Sequence, residues 1–340
     1  MANIFDVAKK AGVSIKTVSR VLNNAPNVRQ ATQDKVRASM MALDYQPSNA
    51  ARELRSGRSK SIGILLGDPS SGFQARLHHA ALQACSDAGF FLTVGLFDES
   101  ADDWAGQLDD FLSRSRVENM ILVPPLCDSE VLHAHMRDRG ISFGLISPSR
   151  PVPDAYSIGM DEQQAAFDIT MHLIRMGHRQ IGHITGPTGH VATGLRLAGY
   201  QAALAESGIQ ANPDWVKPGK FHFRDAQICA ERMLANREER PTAIFAANDE
   251  MAAAVCFTAN SLGLDVPRDL SVVGFDDVAI ATTIWPPLTT VAQPFNAMAD
   301  AAIRLLVNRP SETGAPPDSS ILQLEYQLKI RSSAAPPIHQ

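Results

Sequence analysis

Seven short apolar runs confine what this chain can fold into. SIGILL (61–66), FFLTVGLF (90–97), MILVP (120–124) and SFGLI (142–146) form one series, and QIGHIT (180–185), TAIFA (242–246) and SVVGF (271–275) form a second. Helical patterns at 74–88, 162–176, 195–207 and 249–262 lie between them. Strands alternating with amphipathic helices predict parallel, doubly wound α/β sheets, and two series predict two lobes. In such sheets a ligand sits outside the carboxyl ends of the strands. With two lobes, those ends face each other across a cleft that can close on a small molecule.

Candidate pocket residues are therefore those just beyond the strands. Asp68 follows the first run and Phe73 lies a few residues on. Arg196 follows the turn of ITGPTGHVATGLR, Phe221 sits in GKFHF, Asn248 and Asp249 end TAIFAAND, and Asp276 ends SVVGFDD. Carboxylates, an amide and a guanidinium suit hydroxyl groups, and an aromatic ring suits the apolar face of a sugar. Each also has a plainer reading. Asp68 and Asp249 suit loop or helix-cap positions, Phe221 suits a core, and His190 and His222 suit solvated loops.

The first sixty residues differ in kind. In IFDVAKKAGVSIKTVSRVLNN, Ile4, Val7, Ala8 and Ala11 fall on one face of a short helix. Gly12 sits where a left-handed backbone ends a helix, and Ser14 can cap a second one. Val18, Val21 and Leu22 face inward there, leaving Lys16, Thr17, Arg20 and Asn23 outside. Two short helices joined by a tight glycine turn predict a helix-turn-helix, whose second helix enters the DNA major groove. A third helix is expected from Thr32, as its cap, to Leu43, with Val36 and Met40 on its apolar face. Pro47 ends this small domain, Ser48 can cap a short hinge helix reaching Arg55, and Ser56-Gly57-Arg58-Ser59 forms a flexible basic joint.

Charge supports the division. The net charge of −5 over 340 residues conceals +7 in residues 1–60 and −12 in the remainder. A basic head on an acidic body confines nucleic-acid contact to the head. Within the hinge, Arg52 and Arg55 suit phosphates. Leu54 suits either packing against a partner hinge or the body, or insertion as an apolar wedge between base steps of the minor groove.

The motifs DVAKKAGVSIKTVSRVLNN, VRQATQDKV and LDYQPSNAAREL together resemble the head of the lactose/purine repressor family of bacterial regulators, and the likeness runs through almost the whole chain. The resemblance implies a homodimer whose two heads read half-sites of a near-palindromic double-stranded DNA operator, and whose paired hinge helices insert a leucine into the minor groove. By position that leucine is Leu54, with Ala51 beneath it. Family base-reading positions fall on Ile15, Lys16 and Arg20, and phosphate contacts on Thr17, Ser19 and Asn23. Arg55 completes the expected DNA-binding set. Glu53 departs from the pattern, since an acidic side chain beside DNA is unfavourable.

For the body the resemblance implies a periplasmic-sugar-binding-protein architecture, with the chain crossing between lobes near 160, 292 and 320. The expected organisation is a headpiece over 1–46, a hinge over 47–60 and an effector and dimerisation domain over 61–330. The first lobe covers 61–160 and 293–320, the second 161–292 and 321–330. Arg196, Asn248 and Asp276 fall on family ligand positions. The purine-binding members carry polar or basic residues where this chain has His190 and Ala192, so a sugar effector is expected. The alternatives are a ligand that tightens DNA binding, or a sugar-binding protein with no DNA role.

No nucleophile–base motif, P-loop or dinucleotide loop is present, and no lysine follows GPTG to make it a phosphate loop. An enzyme is not expected, nor a cofactor. Cys85, Cys127, Cys229 and Cys256 lack metal-ligand spacing and read as reduced thiols. Asp6, Lys9 and Lys10 interrupt any signal-peptide core and no run is long enough to span a membrane, so a cytoplasmic protein is expected. The tail lacks leucine heptads, which favours a dimer using first-lobe helices such as 72–88 over a coiled-coil tetramer.

Overall fold

A computed structural model of the chain describes residues 2–22, 25, 27–45, 59–68, 70–98, 101–236, 239–308 and 321–338. The chain divides into two compact units, Met1–Lys60 and Ser61–Gln340.

In the first unit, helix α1 (Ile4–Ala11) opens with a reciprocal cap. Asn3 Oδ1 accepts from the amide of Asp6, and Asp6 Oδ2 accepts from the amide of Asn3. Gly12 ends the helix at φ 66°, a conformation that costs glycine little. Ser14 Oγ accepts from the Thr17 amide at 3.2 Å and starts α2 (Ile15–Leu22). Helix α3 (Gln30–Ala42) closes the core; it begins two residues before the expected Thr32, and its cap residue, Arg29, makes no side-chain cap bond. Val7, Ala8, Val18, Val21 and Val36 are buried together, with Ile4, Leu22, Met40 and Leu43 packed around them. Burial is worth roughly 1.5–3 kcal/mol for each fully buried valine, so this small core rests on few side chains. The hinge residues Ala51, Leu54 and Arg55, and Asn23 at the end of the recognition segment, lie outside the described residues.

The second unit is built from two parallel sheets. In the first, β1 (Ser61–Leu66) lies between β2 (Phe91–Leu96) and β3 (Asn119–Leu122), followed outward by β4 (Ser142–Ile146), β5 (Tyr156–Gly159) and β11 (Ile321–Gln323), all parallel. The second has the order β7 (Val216–Pro218), β6 (Ile181–Thr185), β8 (Ala243–Ala246), β9 (Ser271–Val273). A small antiparallel ribbon pairs β10 (Thr290–Ala292) with β12 (Gln327–Lys329). Strands β1, β3, β4, β6 and β8 are almost wholly buried, the signature of sheets covered on both faces.

The covering helices are α4 (Gly72–Asp87), α5 (Trp104–Ser115), α6 (Glu130–Asp138), α7 (Glu162–Arg175), α8 (Val191–Glu206), α9 (Phe223–Leu234), α10 (Asp249–Ser261), the short α11 (Ile280–Thr283) and α12 (Phe295–Val307). The strand order reverses between β1 and β3 in the first sheet and between β6 and β8 in the second. These two switch points are where parallel sheets leave a crevice.

One expected boundary moves. Residues 321–323 pair with 157–159 and belong to the first sheet, where the sequence reading placed 321–330 wholly in the second lobe. The chain leaves that sheet only after Gln323, between β11 and β12. Edge pairing is a long-range contact that three residues, ILQ, do not announce.

Candidate functional site

A cavity of about 500 Å³ opens at the two switch points. Asp68 follows β1, Pro124 follows β3, His190 follows β6 and Asn248 follows β8, and all four line it. All six residues expected at the pocket, Asp68, Phe73, Arg196, Phe221, Asn248 and Asp276, stand on its wall.

Arg196 is the centre of the second-lobe wall. It projects from α8, is 4% exposed, and donates from Nε to Glu162 Oε2 at 2.8 Å. Its Nη1 donates to the Ala247 carbonyl, and its Nη2 lies 3.5 Å from Asp276 Oδ1. The guanidinium also lies 3.7 Å from the centre of the Phe275 ring, a cation–π contact between buried side chains. Two carboxylates thus share one cation. Burial pushes the Asp276 carboxyl up to about 7, against the pull of Arg196 and with the repulsion of Glu162. Gln293 Nε2 donates to Asp276 Oδ1 at 2.6 Å and holds it in place.

The other expected residues carry double duties. Asn248 caps α10, accepting from the Met251 amide at 2.8 Å, while its Nδ2 donates to the Phe221 carbonyl at 3.2 Å. Phe221 meets His190 edge to face at 5.2 Å. It stands at φ 64°, beside Lys220 at φ 55°, and Asp276 stands at φ 110°. Non-glycine residues held in the left-handed region store strain, and such strain clusters at binding sites. Asp68 Oδ1 accepts from the Ser70 hydroxyl and amide, which lowers its pKa, and His222 adds to the effect electrostatically. Phe73 packs on Phe295, with ring centres 5.3 Å apart. Asp249 does not line the cavity. It is fully buried, accepts from Thr290 Oγ1 at 2.5 Å and from the Val278 amide at 2.9 Å, and ties α10 to the crossover.

Sequence reasoning missed Glu162, Ser147 and Lys220, which also line the cavity. Glu162 was legible only as a first-turn acid at the start of a helix; its partner lies 34 positions away. Ser147 Oγ and His190 Nδ1 are buried with no hydrogen-bond partner among the described residues. Burial drives the His190 imidazole down to about 4, so it is neutral near pH 7.

In the first unit, Ile15, Lys16 and Arg20 are exposed on α2 while Val18 and Val21 are buried beneath them. Thr17 and Ser19 are half-buried, and the Thr17 hydroxyl lies 2.9 Å from that of Ser14. No metal-binding cluster occurs among the described residues, and none of their helices is long and apolar enough to cross a membrane.

A helix-turn-helix unit and a two-lobed, periplasmic-binding-protein-like unit with a cleft define a ligand-responsive DNA-binding regulator. Residues 3–48 match the family model for bacterial regulatory proteins of the lacI family, and residues 170–334 match a periplasmic binding protein-like domain. The chain is 33% identical to an HTH-type transcriptional repressor PurR from Photobacterium profundum, over 98% of each protein. Its fold superposes on a lac repressor dimer bound to operator and the anti-inducer ONPF with a TM-score of 0.80 at 27% identity, covering 98% of this chain and 99% of that one. A complex of the transcriptional regulator CelR with cellobiose gives 0.71 at 28%, covering 98% and 100%. The protein belongs to the LacI family: it is a DNA-binding transcriptional repressor with a ligand-binding domain, not an enzyme.

Proposed function

We propose that this protein is a cytoplasmic repressor of carbohydrate-utilisation genes that binds a near-palindromic operator as a homodimer and releases it when a sugar enters the cleft. The observation that carries the reading is the cavity wall. Asp68, Asn248, Asp276 and Arg196 offer fixed donors and acceptors, and Phe73 and Phe221 offer rings, the mixture a sugar's hydroxyls and apolar face require. The cellobiose complex of a structural neighbour supports it.

Arg20 contacts a base edge, Ile15 and Lys16 read neighbouring bases, and Thr17, Ser19 and Asn23 hold phosphates. Ala51, Leu54 and Arg55 engage the minor groove from the hinge. Effector binding closes the two lobes and changes the spacing of the two hinges. The coupling is reciprocal, so a sugar that weakens operator binding binds the DNA-bound form more weakly by the same factor. The relatives named PurR favour a second reading, a purine-type ligand that tightens operator binding.

The test is selection of sites from pooled genomic DNA by the full-length protein, with and without sugars and purines. Selection of a palindromic site that one sugar releases is the expected result. Tightening by a ligand selects the second reading, and failure to select any site removes both.

A further inference from the structure

The cavity is asymmetric in charge. Five carboxyl groups line it (Asp68, Asp161, Glu162, Glu250 and Asp276, the last pushed up to about 7) against two permanent cations, Arg196 and Lys220, and the His222 imidazole. Both cations already have partners. Arg196 is shared between Glu162 and Asp276, all three side chains being at most 7% exposed. Lys220 Nζ lies 3.3 Å from Asp225 Oδ1 on the first turn of α9. His190 adds no third cation: it is neutral near pH 7, held so chiefly by burial and further by Arg196.

Helix N-termini also point at the cavity, and an anion could in principle use their dipoles. Three of them carry acids in their first turns, whereas α4 and α8 carry none and lack a side-chain cap. Helix α7 carries Glu162 in its first turn, α9 carries Asp225 and α10 carries Asp249 and Glu250. Asp161 and Asn248 further cap α7 and α10. The buried side-chain atoms that the cavity leaves without partners among the described residues are uncharged: the Ser147 hydroxyl on the first-lobe wall and His190 Nδ1 on the second. An entering anion would meet more carboxyl groups than permanent cations, both of which are already paired, in a site partly shielded from water where such repulsion is strong. A hydroxyl group, which both donates and accepts, satisfies Ser147, His190 and the carboxylates together.

We propose that the effector is an uncharged polyhydroxylated molecule, and that the cavity discriminates against phosphorylated and carboxylate-bearing sugars. The inference rests on reading the cavity as the effector site.

The experiment is calorimetric titration of the full-length protein with matched pairs: glucose against glucose 6-phosphate and glucuronate, ribose against ribose 5-phosphate, and cellobiose against its phosphate, with adenine added as an uncharged molecule that carries no hydroxyl. For any pair that binds, the neutral parent binds at least about tenfold tighter, equivalent to about 1.4 kcal/mol. Asp225→Asn releases Lys220 from its partner and narrows that ratio. An anion that binds more tightly than its parent overturns the proposal. If adenine binds and no sugar does, the sugar reading and the polyhydroxylated effector both fall, and only the discrimination against charge stands. Inorganic phosphate supplies the probe if no pair binds. The proposal expects no saturable thermal stabilisation by millimolar phosphate, and a saturable rise that Lys220→Gln abolishes overturns it.

Discussion

Arg196 Nε and Glu162 Oε2 meet at 2.8 Å although 34 positions separate them, and neither side chain is more than 7% exposed. The pair joins the middle of α8 to the start of α7 and places the guanidinium against Asp276. Replacing Arg196 by alanine leaves two buried carboxylates without their cation. Removing one partner of a buried ion pair costs about 3–5 kcal/mol, so Arg196→Ala lowers stability by that order in urea denaturation of the full chain. Glu162→Gln costs less, because it keeps an acceptor for Nε and leaves Asp276 to balance the guanidinium.

A second prediction concerns acid stability. His183 on β6 is fully buried, stacked between Tyr200 and Phe245, and burial drives its imidazole down to about 4 from 6.5. The unfolded chain therefore binds a proton that the folded chain refuses between these values. This group's contribution is complete above pH 6.5 and is lost as pH falls through 4, amounting to about 3 kcal/mol. His183→Phe should fold with a shallower loss of stability over that window, measured as denaturation midpoints at successive pH values. An unchanged slope would exclude His183 as a source of acid sensitivity.

Gly186 makes room for the Phe221 ring. A Cβ there would lie 2.3 Å from Phe221 Cζ and 2.4 Å from Thr193 Oγ1. Gly186→Ala should push the ring from the cavity wall and weaken effector affinity by about tenfold, or about 1.4 kcal/mol. Operator binding without effector should stay near the wild-type value. Titration of both ligands separates the two effects.

On DNA, Arg20→Ala should cost about 1–3 kcal/mol on the operator and relax preference at one base pair. Lys16→Ala should alter preference at a neighbouring position. Leu54→Ala should weaken operator binding far more than binding to random DNA. Equal losses on both would remove the wedge from the account and leave Leu54 a packing residue.

The head was readable from sequence because its determinants are local. The spacing of Ile4, Val7, Ala8 and Ala11, the left-handed turn at Gly12 and the cap at Ser14 act over three or four residues, and α1 and α2 form where they point. Asn3 and Asp6, by contrast, make a capping box that was equally local and went unread. Helix α3 begins at Gln30 without the cap expected from Thr32, since packing of Val36 against Val7 and Val18 can set a helix that its first residue does not.

The sequence by itself determined that apolar runs become buried parallel strands, and that Asp68, Asn248 and Asp276, lying just beyond them, reach a cleft. Burial on both faces and the position of strand ends follow from chain-local patterns. Only the tertiary structure decided that Asp249 turns into the core while its neighbour Asn248 stays on the cavity wall, because the partners of Asp249, Thr290 and Val278, come from distant segments. It likewise decided that Ile321–Gln323 joins the first sheet and that Glu162 and Asp276 divide one guanidinium between them. Ion pairing and edge-strand pairing depend on groups brought together by folding, and a buried charge takes its state from neighbours that linear order does not identify.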